Sequence, residues 1–328
     1  MSSTEQATPS TAGHVPTEEE VLAYFDRFSN WGRWGTDDQA GTLNFITAEK
    51  RLQAARLVQD GATVSLAKLL TTDLSVDIKP PLFPAPTHFM LQNGEQFHQC
   101  GNEPYVLQTA LDYFGVAFHN VAVTHLDAVG HVFWDGKMYN GVSSKSVSTI
   151  GATVQSVDVA KDGIVSRGVL LDIPKLRGVK WLEPGDIIRV EELEAAEAAA
   201  GIRVEEGDVL FVRTGSARKR AEEGPWDMYV HGVAGLGADC LEFIHSRGVA
   251  VLGSDGGSDA APSGYEVVFQ PIHQVGLVAM GLWLVDFADL DPVAAACEAR
   301  GRWEFMLSLG ALRIQYGTGS PVNPIAIF

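Results

Sequence analysis

Cysteine is scarce in this chain: Cys100, Cys240 and Cys297 are the only three in 328 residues. Thiols so few and so widely spaced build neither a disulfide framework nor a cysteine-based zinc site, and they suit a reducing, cytoplasmic location. Basic charge is short as well. Lys and Arg number 24 against 41 Asp and Glu, a formal net charge of −17, and the one short basic run is Arg218-Lys219-Arg220. Acidic clusters at 18–20, 191–197 and 205–208 make a surface that repels phosphate backbones and anionic membranes, so neither nucleic acid nor a membrane is expected as a partner. No apolar run reaches the roughly 18 residues that a membrane-crossing helix needs. Residues 1–15 have no apolar core and read as a disordered tail rather than a signal peptide.

What is present describes a loop-rich globular protein: 46% apolar residues with 34 Gly and 15 Pro. Thr17 and Glu20 form a capping box that opens a helix, in which Val21, Leu22, Tyr24, Phe25 and Phe28 recur at helical spacing. The loop 30–35 that follows carries Trp31 and Trp34, which either pack against the body or wall a substrate ring. A second helix is expected over 48–59, then a strand over 62–68. From 71 to 103 periodicity is lost and Pro80, Pro81, Pro84 and Pro86 accumulate, the mark of a long functional loop; His88 and His98 lie within it. Strands are expected over 115–127, 168–173, 208–213 and 249–253, with helices over 238–247 and, on the surface, 192–200. This alternation predicts a mixed α/β fold.

The densest chemistry lies in Thr124-His125-Leu126-Asp127-Ala128-Val129-Gly130-His131, where a carboxylate stands between two imidazoles. These side chains bind divalent metals or move protons near neutral pH, so an enzyme is expected. On one extended strand His119, Val121, Val123, His125 and Asp127 share a face. His125 and Asp127 are then about 7 Å apart at Cα, within reach of one ion, whereas His119 lies about 20 Å back and is a poor ligand unless the chain bends sharply. Gly130 permits a turn that returns His131 toward the ion, as a further ligand or as a general acid and base. A structural His and Asp pair satisfied inside the core is the plainer reading of the same residues.

Here the sequence resembles the cyclase family of metal-dependent hydrolases, which includes bacterial kynurenine formamidase and isatin hydrolase. The family motif is H-x-G-T-H-x-D-x-P-x-H. Thr124, His125, Asp127 and His131 match it, while Val121, Val123 and Val129 replace its first His, its Gly and its Pro. The likeness extends through 30–35, 133–141, 207–215 and the ending 317–324. It implies a swivelling β/β/α fold, a mixed sheet with a barrel-like core, built as a single domain over 16–328 and assembled as a homodimer or homotetramer. It also implies that His125 and Asp127 hold a metal, that His131 is the proton donor and acceptor, and that a later His and acidic residue add ligands, here His273 and Asp286. One divalent cation, Zn or Mn, is the implied cofactor. No cation at all is the alternative, because Val121 cannot bind one.

The first expectation for function is therefore hydrolysis of a C-N bond in an aryl or cyclic amide, or of a lactone, by metal-activated water with His131 as acid and base. Trp31, Trp34, Phe133 and Trp134 would favour a small aromatic or cyclic substrate, with His119 contacting it or acting behind the ligands. A second expectation drops the metal: His131, His119 and Asp127 would carry out a cyclisation, dehydration or isomerisation in a biosynthetic pathway. A third treats the chain as a binder without turnover.

Overall fold

The computed structural model describes residues 13–72, 83–95 and 109–328. Residues 1–12 of the expected tail, together with Pro80, Pro81, His98 and Cys100, lie outside the described residues. Nine strands form one mixed sheet: β1 (Thr63–Ser65), β2 (His125–Asp127), β3 (Ile164–Asp172), β4 (Val209–Arg213), β5 (Val251–Ser254), β6 (Trp283–Asp286), β7 (Glu304–Leu309), β8 (Gly319–Pro321) and β9 (Ile325–Ile327). The order is β1-β9-β7-β3-β4-β5-β6-β2-β8, curled into a half-barrel. The middle strands β3 to β6 run parallel, and the flanking pairs are antiparallel.

Alternation along the middle strands sets the layers. Val169 and Leu171 of β3, Leu210 and Val212 of β4 and Leu284 of β6 enter one core; Leu170, Val209, Phe211, Trp283 and Val285 enter the other. Parallel strands covered on both faces read as continuous apolar runs, which is why 168–173 and 208–213 carry so little polar spacing. A Cβ at Gly168 would lie 2.3 Å from the Phe305 ring, and one at Gly253 would lie 2.4 Å from the Phe211 ring. Both glycines stand directly across the sheet from those rings and leave them room.

Helix α1 (Glu18–Arg27) starts at the expected capping box and buries Val21 and Tyr24. Helix α2 (Ala48–Ala55) stops short of 59, because Leu57 and Val58 turn back tightly onto the carbonyls of Ala54 and Ala55. The helix expected over 192–200 runs Val190–Ala200 and buries Leu193, Ala196 and Glu197 on one side. No described helix is long and apolar enough to cross a membrane.

Two departures from the expected pattern bear on the site. Within the supposed long loop, Thr87–Gln92 pairs antiparallel with Leu111–Gly115, and Phe89 stacks on its cross-strand partner Tyr113 at 4.8 Å. This ribbon is apolar and exposed along both strands, so it shows no inside and outside alternation to read. The second departure is the strand expected over 115–127, which is broken. Asn120 breaks it: its N-H donates to the Phe118 carbonyl at 2.7 Å, its Oδ1 accepts from the Ala122 N-H at 2.8 Å, and its carbonyl accepts from the Val123 N-H at 3.2 Å. An Asn that bonds the backbone two residues on favours a turn over a strand, whatever the valines around it prefer.

Candidate active site

Strand β2 lies between β6 and β8, with His125 opposite Asp286 and Pro321, and Asp127 opposite Leu284 and Gly319. Leu126 points into one core, so His125 and Asp127 share the other face, as strand parity predicts. There they meet Asp286 at the C-terminal end of β6. Thr124 Oγ1 donates to the Phe287 carbonyl at 2.8 Å and holds the two strand ends together. Phe287 itself sits at φ 55, a left-handed conformation that costs a bulky residue about 1–2 kcal/mol. Its N-H donates to the Gly256 carbonyl at 2.9 Å, which helps hold that conformation next to Asp286.

Asp127, 1% exposed, is the hub. Its Oδ1 lies 2.8 Å from His119 Nδ1 and 3.6 Å from His125 Nε2; its Oδ2 lies 3.7 Å from His273 Nε2 and 4.0 Å from His131 Nε2. Sequence spacing along one strand kept His119 away from this group, and the turn at Asn120 brings it in. His131 stacks flat on His119, ring centres 3.9 Å apart and planes within 3°. His273 enters from the helix Pro271–Val275, with Nε2 3.2 Å from Asp286 Oδ2.

Hydrogen bonds fix which nitrogen of His125 and of His273 faces away from the cluster. His125 Nδ1 lies 2.8 Å from the Val123 carbonyl, which can only accept, so Nδ1 carries the proton and Nε2 presents its lone pair to Asp127. His273 Nδ1 lies 2.6 Å from Asp259 Oδ2, a carboxylate that also accepts the Ile272 and His273 N-H groups. Asp286 Oδ1 accepts from Ser258 Oγ at 2.7 Å, leaving Oδ2 toward the cluster. Such outward-facing partners orient ligands in metal centres.

A divalent cation fits this donor set. His119 Nδ1 and Asp127 Oδ1 approach to 2.8 Å yet are both buried without an aligned hydrogen bond. His125, Asp127 and Asp286 bring a nitrogen and two carboxylate oxygens within 4.8 Å of one another, and His119, Asp127 and His131 do the same with two nitrogens and one carboxylate oxygen. Neighbouring ligands on one ion bonded at about 2.1 Å stand about 3–3.4 Å apart, close to these separations. Imidazole nitrogen and carboxylate oxygen suit Zn and Mn alike. A family model described as putative cyclase matches residues 72–259. The chain belongs to this cyclase family.

The fold agrees. A crystal structure described as a novel cyclase is 30% identical and superposes with a TM-score of 0.82, covering 93% of this cyclase-family chain and 99% of its own. Isatin hydrolase A from Labrenzia aggregata, bound to benzyl benzoate, is 20% identical with a TM-score of 0.59, covering 85% of this chain and 98% of that one. An isatin hydrolase bound to the product analogue thioisatinate is 19% identical with a TM-score of 0.58, covering 86% and 99%. No curated protein matches the chain in sequence. Family and fold together mark this chain as an enzyme of hydrolase-like or cyclase-like activity.

Electrostatics divide the labour among the imidazoles. Burial alone would raise the Asp127 carboxyl, but His131 and His125 beside it, with His119 and His273, hold it well below its ordinary range. Burial would lower His273, but Asp286, Asp127 and Asp259 outweigh it and hold the ring well above its usual value. His131 goes the other way: burial, reinforced by the neighbouring imidazoles and only partly opposed by Asp127, lowers it to about 4. At neutral pH His131 is a free base.

The cluster forms the floor of a cavity of about 290 Å³ whose walls include Phe83, Val121, Val132, Met228, Tyr229 and Phe287. Trp31, Trp34 and Trp134 are placed elsewhere. Trp31 Nε1 donates to the Val278 carbonyl, Trp34 packs edge-on against Phe45, and Trp134 stacks on Phe25 with ring centres 4.5 Å apart. Phe133 does not line the cavity either, and His88 faces Asp112 on the exposed ribbon at 3.7 Å. Asp259 and the aromatic walls escaped sequence reasoning. A signal for Asp259 existed: the Asp255-Gly256-Gly257-Ser258-Asp259 run directly follows a buried parallel strand, and the crevice at the carboxyl ends of such strands is where α/β sheets place their sites.

Proposed function

We propose that this cyclase-family enzyme is a metal-dependent hydrolase that cleaves the C-N bond of an aryl or cyclic amide, or the ester bond of a lactone. One observation carries the reading: imidazole nitrogens and carboxylate oxygens converge on the buried floor of an apolar-walled cavity, with neutral His131 at their edge. His125, Asp127 and Asp286 hold the cation, with His273 beside them. The cation supplies Lewis acidity, lowering the pKa of water toward neutrality and polarising a carbonyl oxygen. His131 Nε2 takes a proton from the attacking water and returns it to the leaving nitrogen or oxygen. Phe83, Met228, Tyr229 and Phe287 grip a flat substrate and keep bulk water out. The isatin hydrolases among the structural neighbours, one of them bound to thioisatinate, support a small aromatic or cyclic substrate.

Elemental analysis of the purified protein will find about one equivalent of Zn or Mn per chain. Chelation will abolish hydrolysis of a panel of aryl amides, cyclic amides and lactones, and adding either ion back will restore it. Undiminished turnover by chelated, metal-free protein overturns this reading. It would support metal-independent cyclisation, dehydration or isomerisation by His131, His119 and Asp127. One observation favours that second reading: His273, held cationic among Asp127, Asp259 and Asp286, balances part of their charge unaided.

Assembly as a homodimer or homotetramer belongs to the same proposal. Phe89, Met90, Leu91, Leu111, Tyr113 and Phe114 of the two-stranded ribbon are all exposed, and an isolated ribbon with so apolar a surface is poorly stable in water. Sedimentation of the full chain will show a dimer or larger species, and a monomer at micromolar concentration counts against it.

A further inference from the structure

We propose that His119 supplies the nitrogen ligand that Val121 withholds, joining His125, Asp127 and Asp286 on the cation because the turn at Asn120 brings it to Asp127. The inference rests on the reading that the site binds a divalent cation, and it concerns where the missing ligand comes from. Val121 lines the cavity at the motif's first His position and offers only hydrocarbon. Two residues upstream, His119 stands on a turn built to return it to Asp127. Asn120 folds the chain back, and Lys68 clasps the far side of the turn, its Nζ donating to the Val121 carbonyl at 3.1 Å and its N-H to Thr124 Oγ1 at 3.0 Å. The imidazole therefore arrives from six residues before His125 rather than four, and the turn absorbs the difference.

The His119 ring is held in one pose. His131 stacks on one face, and a Cβ at Gly319 would lie 2.7 Å from His119 Cε1, so a glycine is what admits the ring beside β8. Nε2 lies 3.2 Å from Thr318 Oγ1. When Nε2-H donates to that hydroxyl, Nδ1 is bare and points its lone pair at Asp127 Oδ1, 2.8 Å away, while the His125 Nε2 lone pair points at the same oxygen from 3.6 Å. Two lone pairs aimed at a buried carboxylate repel unless positive charge lies among them. Nδ1 is also buried, so it is not the atom that meets substrate.

The test is cation binding, read without turnover. Metal-stripped full-length protein is titrated with Co(II), following heat and the visible d-d bands, for the parent, His119→Gly, His125→Ala and the double variant His119→Gly with Val121→His. The parent binds. His119→Gly weakens binding at least 10–100-fold, the scale already seen when mere partners of ligands are lost, and its bands change. Free imidazole added to His119→Gly, or the Val121→His exchange, restores affinity. Circular dichroism of the metal-free variants separates lost ligation from lost folding, and imidazole rescue does so within one polypeptide. Parent-like affinity and bands in His119→Gly, with binding lost in His125→Ala, overturn the inference while leaving the hydrolase reading intact. Failure of the parent to bind Co(II), Zn(II) or Mn(II) overturns both.

Discussion

A His131→Gln variant will fold, keep its cation and lose about 10²–10⁴-fold in kcat/KM on whichever amide or lactone the parent hydrolyses, the usual contribution of one positioned acid and base. His131 is 28% exposed at its side chain, against 4% for His125 and 10% for His273, so it is the imidazole of the three that most faces the cavity. Burial and the surrounding imidazoles lower it to about 4, which keeps it in the proton-accepting form throughout the neutral range. Gln keeps a polar tip of similar reach and cannot take up a proton. The measurements are steady-state kinetics together with elemental analysis of the same preparation. His131 also stands with His119 and Asp127 as a possible ligand trio, so loss of the cation along with activity would make it a ligand and end the acid and base assignment.

The parts of this site that lie on regular structure were legible in the sequence. His125 and Asp127 share a face because strand parity places them there, and His131 returns to within 4.0 Å of Asp127 after Gly130. The apolar runs at 168–173 and 208–213 announced their strands. What could not be read depends on turns and on exposed structure. His119 was placed about 20 Å off because Val116, Phe118, Val121 and Val123 favour extended chain; one Asn side chain overrode them all. The ribbon at 87–92 and 111–115 buries neither face, so it carries no periodic signal. Chemistry alone leaves both packing and a substrate wall open to Trp31 and Trp34, and in the structure Trp31 bonds the Val278 carbonyl, Trp34 packs on Phe45 and Trp134 stacks on Phe25. The aromatic rings that do line the cavity, Phe83, Tyr229 and Phe287, come from three distant segments that only the folded sheet brings together.

The largest effect on stability is expected far from the chemistry, at Asp208. Its carboxylate, fully buried just before β4, accepts from Arg167 Nε at 2.9 Å and Nη2 at 2.5 Å, and Lys50 Nζ lies 2.5 Å away. Arg167 comes from β3, Lys50 from α2 and Glu304, bonded to Arg167 Nη1 at 2.9 Å, from β7, so one carboxylate ties together two strands and a helix. Burial would lower the Arg167 guanidinium, but Asp208, Glu205 and Glu304 more than offset that and keep it charged. Asp208→Asn preserves shape and removes the charge, leaving two nearly buried cations with only the half-exposed Glu205 and the partly exposed Glu304 to answer them. Breaking a buried ion pair from one side destabilises by about 3–5 kcal/mol. For a chain of this size that lowers Tm by roughly 4–7 °C, measured by calorimetry on metal-free protein. Cation affinity of the folded fraction should stay at the parent value, because the network sits at the amino end of β4 whereas the ligands cluster at the carboxyl end of β6. A Tm within about 1.5 °C of the parent, roughly 1 kcal/mol or less, would mean that water or Glu205 replaces the lost charge and that the network is not buried enough to matter. Replacing Lys50 by Met in the same variant should recover part of the loss, since it removes one of the stranded cations and keeps its hydrocarbon stem.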